Sequence, residues 1–504
     1  MTAKTSPTIR HGRHGVIAAG HPLSAQAGAD ALAAGGNAVD AALAALLVSC
    51  AAEPLLTGLG AGGYMLVGGP HGQPELLDFF VAAPPQRSDP DRVELYAVNV
   101  SFGDAEQVFH VGPASCGVYG VPAGVCAAAQ RWGSMPLEVL VAPAAELARK
   151  GVPLNASQAY VARILSELLQ SSSECAALWA PDGAVLQEGE VFRSAELAET
   201  LLLLGAEGAE PFYRGAIAAA VASHIEAQGG AISAQALADY RAELRAPLCC
   251  GYRSWEAFIN PPPAAGGLLL AYALALLERR SADPGPADLV AVMEAAQAAR
   301  NERFLSGLGE QGFARRLLES AGAKLGGTTH VAVIDQAGLA CSMTTTNGEG
   351  SAVVVPGTGI HLNNIMGETD LNPGGFHRHR PGERVPSMMA PTILRAREDQ
   401  LIALGSAGSN RIRSAILQTI SAIVDRGESV EQAVNAPRVH AEEGLIYCEP
   451  GIAIQELATA LPEQQIVAFH ERNLFFGGVQ AVARRSTRYE GAGDPRRGGA
   501  AVVL

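Results

Sequence analysis

The stretch that most restricts the fold is KLGGTTHVAVIDQAGLACSMTTTNGEG, Lys324 to Gly350. Thr329, Val331 and Val333 alternate with His330, Ala332 and Ile334, which is the two-residue period of a strand. DQAG (335–338) reads as a turn, and Leu339–Thr346 returns as the partner strand. Antiparallel pairing across that turn holds the sum of partner numbers near 673, so residue 328 faces 345, give or take one. Helical patterns precede and follow this hairpin, which predicts an α/β chain in an αββα arrangement of layers rather than a barrel.

The helical patterns are legible upstream. HPLSAQAGADALAAGGNAVDAALAALLVSC gives a helix from about Ser24, stopped by Gly35-Gly36, and a second begun by the cap Asn37. Residues Pro136 to Arg245 read as helical with polar faces, and INPPPAAGG leads into an apolar helix over Leu268–Leu277. GLGAGG (58–63), with Asp78 beyond it, imitates a dinucleotide fingerprint, but a helix precedes it and strand-like YMLVGG follows. A glycine turn that lets backbones approach closely is the better reading.

Composition narrows the function. The chain has 504 residues, 48% of them hydrophobic and only 17% charged, which describes a large buried core. A net charge of −14 argues against a nucleic-acid partner. Eight cysteines, at 50, 116, 126, 175, 249, 250, 341 and 448, form no CxxC, so neither a metal site nor a cofactor is expected. They read instead as small hydrophobes of the core. The runs Ala264–Leu277 and Ala41–Ala52 fall short of the ~18 residues of a membrane span. With no apolar leader in MTAKTSPTIRHGRHG, the expectation is a cytoplasmic protein without membrane contact.

Gly326-Gly327 before Thr328-Thr329 can be a mere turn entering a strand, or a place where a peptide bond is broken. A threonine hydroxyl needs an adjacent base. Cleaving the preceding bond would create one, an α-amine with a pKa of about 7.7–8.

Other stretches favour cleavage: AGGNAVDAALAALL (34–47), EPLLTGLGAGGYML (53–66), ALADYRAELRAPL (236–248), NPPPAAGG (260–267), GGTTHVAVID (326–335), TGIHLNN (358–364), NAPRVH (435–440) and GAGDPR (491–496). In this order they resemble the γ-glutamyltransferase family of N-terminal-nucleophile hydrolases over nearly the whole chain. The resemblance implies a four-layer αββα sandwich formed jointly by two chains, 1–327 and 328–504, after self-cleavage between Gly327 and Thr328. Thr328 would be nucleophile and, through its new amine, general base. The second threonine would be Thr345, two places before Asn347, although ungapped counting chooses Thr346. Gly408 and Ser409, in GSAGSNRIR, would supply the oxyanion N–H groups, and Asn347 and Glu368 would read the substrate.

The departures concern the acyl group. Where the family carries an arginine for the substrate carboxylate, LDFFVAAP (77–84) has Phe80, with Val81 in place of the following acid. A serine pair is reduced to Ser387 after Pro386. Arg87, Arg411 or Arg438 could enter instead. Between Glu368 and Pro386 the chain is shorter than in members with a lid, implying an open site.

The resemblance therefore implies an acyl-enzyme on Thr328 that passes a γ-glutamyl group, as from glutathione, to water or an amine. A non-glutamyl amidase or acylase, or a carbon–carbon hydrolase of natural-product biosynthesis, is the alternative, and a non-catalytic scaffold the third reading. The implied partners are a small amide or peptide substrate and the chain's own other half, with further dimerisation of that heterodimer open.

Overall fold

The computed structural model describes residues 15–85, 95–101, 106–300, 304, 308, 313, 329–372, 374–396, 400–408, 411–442 and 444–504. Two sheets carry the architecture. The first runs in the order Ala500–Val503, Gly15–Ala19, Thr329–Asp335, Ala340–Thr346, Gly62–Gly68, Glu75–Phe79, Glu243–Arg245. The second runs Arg488–Gly493, Gly478–Arg485, Gln400–Ala407, Thr392–Arg395, Trp255–Ile259, Leu248–Tyr252. The Thr329–Asp335 strand packs across onto Gln400–Ala407 and Gly478–Arg485, so the sheets lie face to face. Helices Pro22–Ala33 and Ala38–Ala52 cover the outside of the first sheet. Ala265–Glu278 and Arg411–Val424 cover the second. This is the αββα order expected from the sequence.

The local reasons are physical. Asn37 caps the second helix by accepting from Val39 and Asp40 N–H, while Asp40 accepts from Asn37 N–H in return. All fifteen residues of that helix are buried, which explains its lack of a polar face. The first helix starts two residues earlier than its pattern suggests, because His21 accepts from Leu23 N–H and Pro22 fits the first turn. In the hairpin turn, Asp335 Oδ1 accepts from Ala337 and Leu339 N–H, and its Oδ2 from Ala38 N–H at 3.0 Å, tying turn to helix.

Hairpin register falls within the one-residue allowance of the expectation. Thr329 pairs with Thr345, a sum of 674 rather than 673. The glycine turn Gly58–Gly63 runs into a strand and not a helix, in keeping with the rejection of a dinucleotide fingerprint. A Cβ on Gly60 would come within 2.4 Å of the His361 carbonyl oxygen, the close backbone approach expected of this turn. The cysteines are all free thiols, mostly buried, but Cys249 is exposed against the expectation of small core residues. Among the described residues, no helix is long and apolar enough to cross a membrane.

Candidate active site

Gly327, Thr328 and Ser409 lie outside the described residues, as does Arg87. What is described is the frame around them. The first rung of the Thr329–Asp335 strand places Thr329 against the end of the Ala38–Ala52 helix. Thr329 Oγ1 donates to Glu53 Oε1 at 3.2 Å. The other carboxylate oxygen takes Ser49 Oγ at 2.8 Å and Ser24 Oγ at 3.5 Å. A Cβ on Gly20 would lie 2.2 Å from Glu53 Oε1, so only glycine fits beside this cradle. Burial raises the Glu53 carboxyl to about 6, against the pull of those hydroxyl donors and of Arg497.

Successive strand residues face opposite sides, and this separates the two candidate threonines. Thr345 shares the outer face with Thr329, and its hydroxyl is 2.8 Å from Thr57 Oγ1. Thr346 shares the inner face with Thr344, which is hydrogen-bonded to His330 Nδ1. His330 in turn packs where a Cβ on Gly405 of the second sheet would sit. Thr346 Oγ1 accepts from Gly348 N–H at 2.8 Å.

Beyond the strand the chain brings Asn347, Glu349 and Glu368 close together. Asn347 donates its backbone N–H to Leu56 O and its side-chain amide to His361 O, leaving Oδ1 buried without a partner. Gly348 has φ +65°, and a Cβ there would lie 1.9 Å from Asn364 Oδ1 and 2.5 Å from Glu368 Oε1. Only bare backbone fits beside these two side chains. Glu368 Oε1 and Glu349 Oε2 are both buried without hydrogen-bond partners. Burial pushes Glu349 up to about 7, although Arg497 and Arg411 draw it down. Burial, Glu349 and Asp370 push Glu368 well above the usual carboxylate range. Two acids so placed resist ionising together and favour a cation between them.

Gly408 lies just before the Arg411–Val424 helix, its carbonyl accepting from Arg411 N–H. Its φ is +116°, and a Cβ would lie 2.6 Å from Gly477 Cα and 3.2 Å from Arg497 Nη2. Arg411 donates Nε–H to Phe475 O at 2.8 Å and stacks 4.4 Å above that ring.

The remaining candidates are engaged by neighbours within the fold. Phe80 is fully buried, with its ring stacked on Tyr64 at 5.5 Å. Ser387 turns its hydroxyl to accept from Met389 N–H. Arg438 is bound to Asp494 at 2.6 Å. Three residues escaped the sequence reading: Glu53, Glu349 and Arg497. Glu53 left a signal, a lone acid in the apolar run LLVSCAAEPLL. The other two stand beside residues that were singled out, in TTTNGEG and GAGDPRR. Among the described residues, no group of three or more His, Cys, Asp or Glu is placed to hold a metal ion.

The layers and strand order define an N-terminal-nucleophile hydrolase fold. The cephalosporin acylase from Bacillus halodurans superposes with a TM-score of 0.83 at 25% identity, covering 100% of this chain and 99% of its own. The gamma-glutamyltranspeptidase of Helicobacter pylori gives 0.51 at 24% identity over 60% of this chain and 89% of its own, a likeness of fold. The family model for gamma-glutamyltranspeptidase matches residues 24–316 and 310–504, and the chain belongs to that family. It is 33% identical to the acylase ACY 1 proenzyme of Pseudomonas sp. (strain V22), over 94% of this chain and 90% of that protein. It is 28% identical to the glutathione hydrolase proenzyme of Escherichia coli (strain K12), over 96% and 90%. The chain is an enzyme of this family, whose members here include both acylases and glutathione hydrolases.

Proposed function

We propose that the chain cuts itself between Gly327 and Thr328 and then uses Thr328 to form an acyl-enzyme, passing a γ-glutamyl or related acyl group from an amide to water or an amine. The observation that carries this reading is the head of the Thr329–Asp335 strand. Thr329 is pinned there to Glu53, opposite Thr345, at the point where the chain leaves Gly327-Thr328. Both relatives named above are proenzymes by name, in keeping with a precursor that becomes 1–327 and 328–504.

In the proposed reaction the new amine of Thr328 takes the hydroxyl proton, and the hydroxyl oxygen attacks the amide carbon. The negative charge on the carbonyl oxygen is met by backbone N–H donors at Gly408 and Ser409. The proton passes to the departing amine, and water or a second amine releases the acyl group by the same path. Asn347, Glu349 and Glu368 form the acyl pocket, with their free acceptors directed at an ammonium group. Thr345 or Thr346 supports the nucleophile; the outer-face bond of Thr345 to Thr57 favours Thr346 for the inner side.

A second reading has its own observation. Phe80 packs on Tyr64 in the core and offers no donor to a carboxylate at the position where the family has its arginine. This favours an acylase of non-glutamyl amides.

The test is release of aniline dye from a γ-glutamyl anilide by protein shown to contain both chains, with Thr328→Ala as the blank. Thr328-dependent release supports the γ-glutamyl reading. Release from non-glutamyl anilides alone selects the acylase. Cleavage of Thr328→Ala protein into two chains would sink the nucleophile assignment.

A further inference from the structure

Arg497 lies in a cluster of buried arginines whose acids are unevenly shared. Arg438 has Asp494 at 2.6 Å. Arg496 has both Glu449 and Asp494, the latter at 3.1 Å. Arg497 has neither. Its one hydrogen bond runs from Nη2 to the Leu474 carbonyl at 3.3 Å, and its Nε–H is buried with no acceptor. Among the described residues no carboxylate comes within ion-pair distance of it.

A buried guanidinium without a counter-ion is costly and marks either a strained structure or a place for an anion. The stem of Arg497 is well seated, since Cδ fills the space a Cβ on Gly478 would need, at 2.5 Å. Its head lies 3.2 Å from the Cβ position of Gly408. Glu53, Glu349, Asp494 and Arg411 all act on it from beyond contact distance. Burial and Arg411 lower its guanidinium to about 10, so it stays cationic at neutral pH.

This region thus has unfilled acceptors at Glu349 and Glu368 and, within reach of Glu349's charge, a cation at Arg497 without an ion-pair partner among the described residues. Those are the two charges of an amino-acid head group, an ammonium and a carboxylate. We infer that Arg497 binds the free carboxylate of the acyl donor, in place of the arginine that Phe80 displaces. The inference rests on the proposed acyl transfer for its substrate, but its anion site stands on the geometry alone. Donors lacking a carboxylate are then handled without help from Arg497.

Four anilides of related chain length separate the contributions: γ-glutamyl, glutaryl, 4-aminobutyryl and butyryl. In mature protein, Arg497→Gln should lower kcat/KM by about 10- to 100-fold, mostly through KM, for the two donors with a carboxylate. The two without one should change less than about threefold, an allowance small against the 10- to 100-fold expected of a lost charge-assisted bond. Arg497→Lys should recover part of the loss, having the charge without the fork. Equal losses on all four donors would overturn the inference, placing Arg497 at the reacting carbonyl or in the structure.

A second measurement needs no turnover: calorimetric binding of free glutarate to wild type and to Arg497→Gln. Wild type should bind it and Arg497→Gln should not. Equal binding by both, or none by wild type, refutes the anion site. Turnover of none of the four anilides, with Arg497-dependent glutarate binding retained, would refute the proposed acyl transfer and leave the site standing.

Discussion

Glu53→Gln tests whether the carboxyl cradle at the head of the Thr329–Asp335 strand is held against an ionisation cost. Burial moves this group from 4.5 to about 6. An acid raised on folding binds its proton more tightly in the native state, so the fold loses stability as pH climbs through that window. At about 1.4 kcal/mol for each pH unit between the two values, the loss amounts to roughly 2 kcal/mol. Below about pH 4.5 both side chains are neutral, and wild type and Glu53→Gln differ only by a fixed amount. By about pH 7.5 the variant should have gained roughly 2 kcal/mol on wild type. The assay is urea unfolding across that pH range, with both proteins in the Thr328→Ala background so that one chain unfolds. A constant difference at every pH would refute the reasoning. So would a variant that loses ground as pH rises, since Ser24, Ser49, Thr329 and Arg497 would then outweigh desolvation.

Gly348→Ala should lower kcat/KM on whichever anilide the enzyme accepts by about 100-fold, because a Cβ there displaces Asn364 and Glu368 from the pocket. Asp335→Ala should cost about 2–3 kcal/mol in denaturant unfolding, since three backbone N–H groups lose their acceptor; Asp335→Asn should cost less. Arg438→Met should cost about 3 kcal/mol or more by the same measurement, as it leaves Asp494 buried with one partner fewer.

The hairpin, the capped helix after Asn37 and the four layers were legible because each rests on local pattern. Alternation announces a strand, and Asn37 with Asp40 announces a helix start. Register was legible only to within one residue, since the turn alone does not fix it. The bonds that Asp335 accepts from Leu339 across the turn and from Ala38 of the neighbouring helix belong to the folded molecule. Thr345 and Thr346 could therefore not be told apart before the faces were known. Glu368 and Asn347 are candidates through motif likeness alone. Arg497 is not, because its significance is that no carboxylate among the described residues pairs with it, and a sequence that reads GAGDPRR shows two arginines beside an aspartate. Only the structure shows that Arg496 and Arg438 take that aspartate.

The Gly15–Ala19 strand lies between Thr329–Asp335 and Ala500–Val503, so residues from before Thr328 are hydrogen-bonded on both edges to residues from after it. A cut before Thr328 would leave this weave intact and alter its molecularity. An uncut precursor would refold as a single chain, at a rate independent of concentration. A cut protein, once unfolded, would have to find its other half before the central strand has neighbours. Maturation would exchange a reversible equilibrium for persistence set by the unfolding rate. Heat resistance of the mature enzyme would then be a matter of how slowly it opens, and its recovery after dilution a second-order event.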